Sequence, residues 1–181
     1  MPLPGVPGVE VHGGFLEAFE HCRGEIEAAV DAYVPSTLGL YIAGDCLGGA
    51  LAQIASAVLE RDNLAACYTF GSPKVGKVDF DRKVKCPHYR VVNNWDPIPG
   101  LPPSLYRGYR HTGDPRLLTP GTQEALRRDR SDLSRLFVNV GAVIRWLTSR
   151  KFPVMDDHMI WNYRARLEEI AAARARTPAS R

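Results

Sequence analysis

A cysteine set between glycines is the residue of this sequence best suited to nucleophilic chemistry. Cys46 lies in the segment Gly44-Asp-Cys-Leu-Gly48, which joins an apolar run typical of a buried strand to an Ala-rich run typical of a buried helix. A turn of this kind forms a nucleophile elbow, in which the glycines leave room for a tight crossing from strand to helix. The thiol would lie at a helix N-terminus, whose dipole favours the thiolate, whereas the neighbouring Asp45 carboxylate opposes it. The alternative is a glycine-rich turn that contains a buried structural cysteine.

A cysteine nucleophile also needs a base and a carboxylate that orients the base, in the chain order nucleophile, acid, base. Asp96 follows a predicted strand, at the carboxyl end where ligands gather in open α/β sheets, although a loop-capping aspartate would occupy the same position. His158 precedes the last predicted helix and can fold back over the sheet edge, with His111 as the reserve candidate for the base. We therefore predict a triad of Cys46, Asp96 and His158, with the backbone N–H of Leu47 as an oxyanion donor.

Hydrophobic periodicity predicts the elements that would position these residues. Strands are predicted at residues 38–43, 65–70, 88–93 and 106–112, and helices at residues 15–33, 47–59, 75–84, 136–147 and 160–173. Residues 114–135 are polar and irregular, which predicts a solvated loop or helix face. Because strands alternate with helices, we expect an α/β fold with a mostly parallel sheet flanked by helices.

The overall composition is that of an ordinary globular protein. The chain has 181 residues, of which 45% are hydrophobic and 24% charged, so a disordered tail protein and a coiled coil are excluded and a single domain, residues 1–181, is expected. We expect residues 1–10 to form a loop and residues 174–181 to form a flexible tail. A net charge of +3 is too small to indicate binding to nucleic acid.

The sequence contains neither a membrane span nor a metal motif. No apolar run reaches the ~18 residues that a transmembrane helix needs, and the first residues lack the basic start and apolar core of a signal peptide. These features favour a cytoplasmic location. The four cysteines have no CxxC spacing, so we predict free thiols, no zinc site and no cofactor.

Six segments, taken in order, resemble the class 3 lipases, the fungal-lipase-like branch of the α/β-hydrolases. They are VHGGF at residues 11–15, GDCLGGALA at 44–52, TFGSPKVG at 69–76, RVVNNWDPIPGLPP at 90–103, YRHTG at 109–113 and the pattern of Asp157, His158 and Tyr163. The resemblance implies a partial α/β-hydrolase fold and a hydrolase of acyl esters, with a lipid or a short-chain ester or thioester as substrate. It also implies that Asp96 is the triad acid and that a covalent acyl-enzyme forms without a metal or cofactor.

Two departures from the family pattern lie at the elbow. Cys46 replaces the family's serine, and Asp45 replaces the histidine that precedes it. A second class of function is therefore open, namely a catalytically weak or inactive lipase-like fragment that acts as a lipid-binding or interaction module. A cysteine in a similar elbow motif also occurs in the dienelactone hydrolases, which the rest of the chain does not resemble.

A third departure is that the chain begins where the second half of the family begins. The resemblance implies that the N-terminal strands are absent, together with the FRGT-like loop that supplies the second oxyanion donor, and it leaves open whether the chain is a truncation or a natural miniature. The strand at residues 38–43 should then be a bare sheet edge, which invites pairing. We expect a cover for it: a second copy of the chain, residues 1–11 as an added strand, or a separate polypeptide. A homo-oligomer is favoured, because the prolines in residues 1–8 cannot donate to a strand ladder.

Overall fold

The computed structural model describes residues 1–59, 61–93, 95–103, 107–118, 126–127 and 153–176. In chain order, the helices and strands are α1 (Gly13–Tyr33), β1 (Leu40–Asp45), α2 (Cys46–Val58), β2 (Leu64–Phe70), α3 (Val78–Asp81), β3 (His88–Asn93), β4 (Asp114–Leu118), β5 (Leu126–Arg127) and α4 (Ile160–Arg176). Two short 3-10 helices, Ile98–Gly100 and Pro153–His158, follow β3 and precede α4. The helix predicted at residues 136–147 lies outside the described residues.

The described strands form one sheet in the order β1-β2-β3-β4-β5. The pairs from β1 to β4 are parallel, and β5 runs antiparallel to β4. Helix α2 connects β1 to β2, since a parallel pair requires a crossover connection. The mostly parallel sheet flanked by helices confirms the predicted fold class. Among the described residues β1 pairs with β2 alone, so it is the terminal strand on that side.

Helices cover both faces of the sheet. On one face Phe19 of α1 and Ile54 of α2 are fully buried, together with Val75 before α3. Burying a side chain of this size contributes about 1.5–3 kcal/mol, and this cluster packs α1 against α2, whereas Ala52 of α2 packs on Cys67 of β2. On the opposite face, Tyr163 of α4 packs against Val91 of β3. The two helices that flank the predicted site, α2 and α4, are therefore each anchored to the sheet independently.

The prediction of a strand at residues 106–112 is wrong. The described part of this segment forms a turn, in which Arg110 makes a single antiparallel bridge to Gly76. The strand that pairs with β3 is β4, which begins at residue 114, inside the stretch for which the sequence predicts a loop or helix face. The helix predicted at residues 75–84 is reduced to the four residues of α3.

The composition of β4 explains why its pattern is hidden in the sequence. Asp114, Pro115 and Arg116 are residue types that strands seldom contain, because a charged side chain or a missing N–H weakens an ordinary ladder. Here the two charges pair with each other at 2.6 Å, and the guanidinium of Arg116 lies over the ring of Tyr89. These tertiary contacts compensate for a poor local strand pattern.

The N-terminal residues form a hairpin rather than an open loop. Pro2 bridges Glu10, the N-terminal ammonium donates to the carbonyl of Val11 at 2.6 Å, and Leu3 and Val9 are buried. In the described chain, the backbone hydrogen bonds of this hairpin are made within it and to the segment before α3. The hairpin therefore does not add a strand to β1, and this one of the three expected covers is not formed.

The C-terminal helix α4 is longer than its sequence pattern predicts. Residues 174–176 are helical, so the expected tail does not begin at residue 174. Arg174 and Arg176 lie in the last turn, where positive charges interact favourably with the helix dipole. None of the described helices combines the length and the apolar character that crossing a membrane requires.

Candidate active site

The turn between β1 and α2 has the geometry of a nucleophile elbow. Cys46 has a φ of 49°, a left-handed conformation that is strained for a residue with a side chain and is concentrated at functional sites. A Cβ at Gly44 would lie 2.2 Å from the carbonyl oxygen of Gly48, and a Cβ at Gly49 would lie 2.7 Å from the Cβ of Ser72. A Cβ at Gly48 would meet nothing within 4 Å. The two glycines that the elbow needs are therefore Gly44 and Gly49.

The Cys46 thiol is held in its protonated form. Burial raises the pKa of this half-buried thiol, and the negative charges of Asp45 and Asp96 raise it further, whereas a hydrogen bond from the Leu47 backbone N–H lowers it. The net direction of the pKa is upward, which favours the protonated thiol over the thiolate. The same contact places the N–H of Leu47 beside the thiol.

The other described cysteines are also free thiols. Burial raises the pKa of Cys67 to about 11, against a hydrogen bond from Ser56 that lowers it. Burial raises the pKa of Cys86 as well. Cys46 is more exposed than these two buried residues, so we expect it to react with alkylating reagents before them.

The predicted acid and base are brought together. The two carboxylate oxygens of Asp96 each lie 3.0 Å from Nδ1 of His158, which ends the 3-10 helix before α4. The Asp96 side chain has no exposed surface, and that of His158 is 8% exposed. This contact leaves Nε2 of the imidazole for a thiol or a substrate. The geometry therefore favours His158 over His111 as the partner of Asp96.

The third predicted member is coupled to this pair by charge and not by a hydrogen bond. The carboxylate of Asp96 acts electrostatically on the Cys46 thiol. Within the described ranges no hydrogen bond joins the sulfur to the His158 ring. Catalytic hydrogen bonds are often long in the absence of substrate and tighten when substrate binds. Because β1 and β3 are parallel, the nucleophile candidate and the acid–base pair lie at the same edge of the sheet.

Tyr163 of α4 makes the shortest hydrogen bond to the Asp96 carboxylate. Its buried hydroxyl donates to Oδ2 at 2.5 Å and accepts the backbone N–H of Asn93 at 3.0 Å. The N–H of Ile98 donates to Oδ1 at 2.9 Å. Donors on both oxygens therefore orient the carboxylate toward His158. The sequence pattern includes Tyr163 but assigns it no role, and its spacing after the histidine is the only signal that could have found it.

Gly71 leaves the space in which these groups meet. It follows β2 with a φ of 57°, and a Cβ there would lie 2.6 Å from Oδ2 of Asp96, 3.0 Å from Nδ1 of His158 and 3.1 Å from the Tyr163 hydroxyl. Sequence reasoning gives Gly71 no role beyond ending a strand, because it reaches Asp96 only once β2 and β3 have paired.

A chain of buried polar side chains links α2 to the loops around it. The amide of Gln53 donates to the hydroxyl of Ser72 at 2.8 Å and accepts the hydroxyl of Thr112 at 2.8 Å. Thr112 in turn lies 3.0 Å from Nδ1 of His88, whose Nε2 lies 2.9 Å from the hydroxyl of Thr69. Since the Thr112 proton is used by Gln53, Nδ1 of His88 is the donor. Burial lowers the pKa of His88 to about 4, which favours the neutral imidazole, and in that form Nε2 accepts the Thr69 hydroxyl.

The His88 network predicts a loss of stability in acid. Burial lowers the pKa of His88 from 6.5 to about 4, and the charge of Arg90 lowers it further. At pH values between about 4 and 6.5, His88 is protonated in the unfolded chain and neutral in the folded chain. Stability is therefore full above the unfolded value and falls as the pH drops toward 4, by about 3 kcal/mol in total. Urea unfolding at a series of pH values between 7.5 and 4 measures this slope.

The matched variant is His88→Gln, which keeps a polar side chain but cannot titrate. We expect the difference in unfolding free energy between wild type and variant to shrink as the pH falls through this window. Parallel curves for the two proteins would mean that another group causes the acid sensitivity.

Within the described segments, no group of three or more His, Cys, Asp or Glu residues is placed to hold a metal ion.

Comparison with known proteins matches residues 2–106 to the family model described as Lipase (class 3). A secreted mono- and diacylglycerol lipase from Fusarium solani is 42% identical over 113 residues, which cover 59% of this chain and 34% of that protein. A lipase from Rhizomucor miehei is 33% identical over 142 residues, or 72% of this chain and 39% of that protein. The chain thus spans less than half the length of these two relatives.

Solved lipase structures share the fold. Lipase II from Rhizopus niveus superposes with a TM-score of 0.61 and 25% identity, covering 74% of this chain and 57% of that one. A triacylglycerol lipase whose catalytic centre is described as a serine protease triad superposes with a TM-score of 0.62 and 28% identity, covering 76% and 58%. The sheet and its flanking helices are those of an α/β-hydrolase.

Proposed function

Because this chain belongs to the class 3 lipase family, we propose that it hydrolyses acyl esters with Cys46 as nucleophile, His158 as base and Asp96 as the carboxylate that orients the base. The observation that carries the proposal is the buried Asp96 bonded to the His158 ring, at the sheet edge where the elbow presents Cys46. A solved relative is a triacylglycerol lipase described as having a serine protease triad. The same roles, with a thiol for the hydroxyl, suit the residues at these three positions.

The reaction follows from the state of each group. Nε2 of His158 takes the thiol proton as Cys46 Sγ attacks the acyl carbonyl carbon, and the backbone N–H of Leu47 stabilises the oxyanion that forms. The tetrahedral intermediate collapses, the C–O bond breaks, and His158 gives its proton to the leaving alcohol. A thioester acyl-enzyme remains. Water, deprotonated by His158, then attacks this thioester and releases the acid, while the thiol regains its proton.

An acyl substrate agrees with the side chains that surround these residues. Leu47 is 45% exposed next to the nucleophile candidate, Trp95 is 54% exposed next to the acid, and Trp161 is 63% exposed three positions after the base. Each of these exposed apolar side chains lies on a segment that carries a predicted site residue, which favours a substrate with a hydrocarbon chain. We infer a lipid or short-chain ester, and the Fusarium relative is described as a mono- and diacylglycerol lipase.

Hydrolysis of p-nitrophenyl butyrate by wild type, Cys46→Ala and Cys46→Ser tests the proposal. We expect wild type to release nitrophenolate and Cys46→Ala to lose this activity. Cys46→Ser should be faster than wild type, because the wild-type thiol is kept protonated and the resembled family uses a serine at this position. Hydrolysis by Cys46→Ala at the wild-type rate would contradict the assignment of the nucleophile.

A non-catalytic lipid-binding module is the second candidate. The raised pKa of the Cys46 thiol and the missing hydrogen bond to His158 favour it. If Cys46→Ser is no faster than Cys46→Ala, the chain lacks a working site. Binding of both variants to phosphatidylcholine vesicles would then identify the module.

The terminal strand β1 gives a further prediction about assembly. Its free side has no partner strand among the described residues, and Tyr41 on it is 67% exposed. An exposed edge strand of this kind pairs readily with another chain. We propose that β1 pairs with a second copy of the chain, so that the mass measured by light scattering falls to that of a monomer on dilution.

Tyr41→Lys is the matched variant, because a lysine on an edge strand discourages pairing. It should be monomeric at every concentration. A wild-type protein that is also monomeric throughout, with slow hydrogen exchange at the β1 amides, would contradict self-association and indicate another cover.

A further inference from the structure

Arg166 of α4 closes a ring of hydrogen bonds beside the acid–base pair. Its Nη1 donates to Oδ1 of Asn93 at 2.8 Å, and its Nη2 donates to Oδ1 of Asp157 at 2.6 Å. The ring is completed by Asn93, whose Nδ2 donates to the backbone carbonyl of Asp157 at 2.7 Å. The Arg166 and Asp157 side chains are only 23% and 24% exposed, and Asn93 is fully buried. Partly buried, charge-assisted bonds of this kind are stronger than exposed ones.

The ring joins the two chain segments that carry the acid and the base. Asp157 directly precedes His158. Asn93 ends β3, and its backbone carbonyl accepts the N–H of Asp96 at 3.2 Å. The guanidinium therefore connects a residue bonded to the acid with a residue next to the base. The guanidinium bonds the two acceptors from two separate nitrogens held in one plane, an arrangement that the single nitrogen of a lysine does not reproduce.

Attachment of α4 to the sheet does not explain the ring. The helix is already anchored by Tyr163, with Leu167 and Ile170 packed on the cluster that contains Val91 and Leu118. These contacts are apolar and would remain without the guanidinium. The contribution that is specific to Arg166 is a second connection between the segments of Asp157 and Asn93, in addition to the direct bond from Asn93 Nδ2 to the Asp157 carbonyl.

We infer that Arg166 is a positioning residue, which fixes the His158 ring against Asp96 by tying together the segments that bear them. The inference rests on the proposed function only in what it says about rate. Its structural part concerns the hydrogen bond from Nδ1 of His158 to the carboxylate. Catalytic groups must be held to within a fraction of an ångström, and a displacement of about 1 Å can cost about 100-fold in rate.

Arg166→Gln and Arg164→Gln provide a matched pair of variants. Both arginines lie on α4 and both bind a carboxylate, but Arg164 is 78% exposed and pairs with Glu168 on the same helix. The first measurement is the exchange of the His158 Nδ1 proton with water, followed by NMR. We expect Arg166→Gln to speed this exchange about tenfold or more, because the hydrogen bond to Asp96 opens more often. Arg164→Gln should leave it unchanged.

The second measurement is hydrolysis of p-nitrophenyl butyrate in the Cys46→Ser background. Arg166→Gln should lower kcat about 10- to 100-fold with KM nearly constant, and Arg166→Lys should restore part of kcat, since one ammonium can satisfy one of the two acceptors. If Arg166→Gln fails to fold, Asp157→Ala removes the other half of the ion pair and should produce the same changes.

Each outcome decides the inference. Unchanged exchange of the Nδ1 proton in Arg166→Gln, or equal changes in Arg164→Gln, would overturn it. If no variant hydrolyses the ester, the proposed function fails, and the exchange measurement alone still tests the positioning role. Faster exchange together with lower kcat in Arg166→Gln, with neither change in Arg164→Gln, supports both the positioning role and the proposed function.

Discussion

Asp96→Asn is expected to lower kcat for ester hydrolysis about 10⁴-fold while the protein still folds. The Asp96 carboxylate has no exposed surface and receives hydrogen bonds from the His158 ring, the Tyr163 hydroxyl and the N–H of Ile98. An asparagine offers one oxygen to these donors and turns an NH2 group toward at least one of them. The imidazole then favours the tautomer with its proton on Nε2, which cannot accept the thiol proton.

The control for Asp96→Asn is Asp79→Asn on α3. The Asp79 side chain is 57% exposed and lies 3.9 Å from Arg82, so its loss should leave hydrolysis unchanged. Both substitutions are measured in the wild type and in the Cys46→Ser background, so that a slow wild-type reaction does not hide the effect. Activity of Asp96→Asn within about tenfold of its parent would show that Asp96 does not orient the base.

The sequence predicts the central strands and the C-terminal helix better than the edges of the sheet. Strand β3 has the predicted bounds, and β2 and the start of α4 lie within a residue of theirs, because their apolar patterns reflect burial that the chain itself encodes. The sequence does not predict strand β4, because Asp114 and Arg116 are residue types typical of a polar loop. The ion pair between them, which stabilises the strand, is not visible in the sequence pattern. The local pattern in this case carries no information about the tertiary contact that makes the strand stable.

The candidate site shows the same division between local and tertiary information. The order of Cys46, Asp96 and His158 along the chain is enough to predict that they meet at one sheet edge, and the structure places the last two in contact. The state of the Cys46 thiol is not predictable in this way. Its pKa depends on burial and on how close the charge of Asp96 comes, and neither is visible in the spacing of residues.

Residues that position Asp96 and His158 are not predictable from the sequence for a related reason. Gly71 is an ordinary strand-ending glycine in the sequence, and Arg166 is one of several arginines in a polar helix. Their contacts with the acid and base segments arise from the pairing of β2 with β3 and from the packing of α4 on the sheet. A pattern within one element cannot report contacts between elements.

The substitution Gly71→Ala should therefore damage the site more than the fold. Gly71 has a φ of 57°, and the new Cβ would lie 2.6 Å from Oδ2 of Asp96 and 3.0 Å from Nδ1 of His158. Both atoms belong to buried or nearly buried side chains, so the methyl group must push the carboxylate and the imidazole apart. We expect kcat/KM for p-nitrophenyl butyrate to fall by about 100-fold or more.

Gly108→Ala separates this clash from backbone strain. Gly108 has a φ of 71°, and a Cβ there meets nothing within 4 Å, so its replacement carries only the left-handed penalty of about 1–2 kcal/mol in the free energy of unfolding. Urea unfolding and ester hydrolysis of both variants give the comparison, with activity measured well below the unfolding transition. If Gly108→Ala loses as much activity as Gly71→Ala, general destabilisation explains the loss, and the contact between Gly71 and the acid–base pair has no part in it.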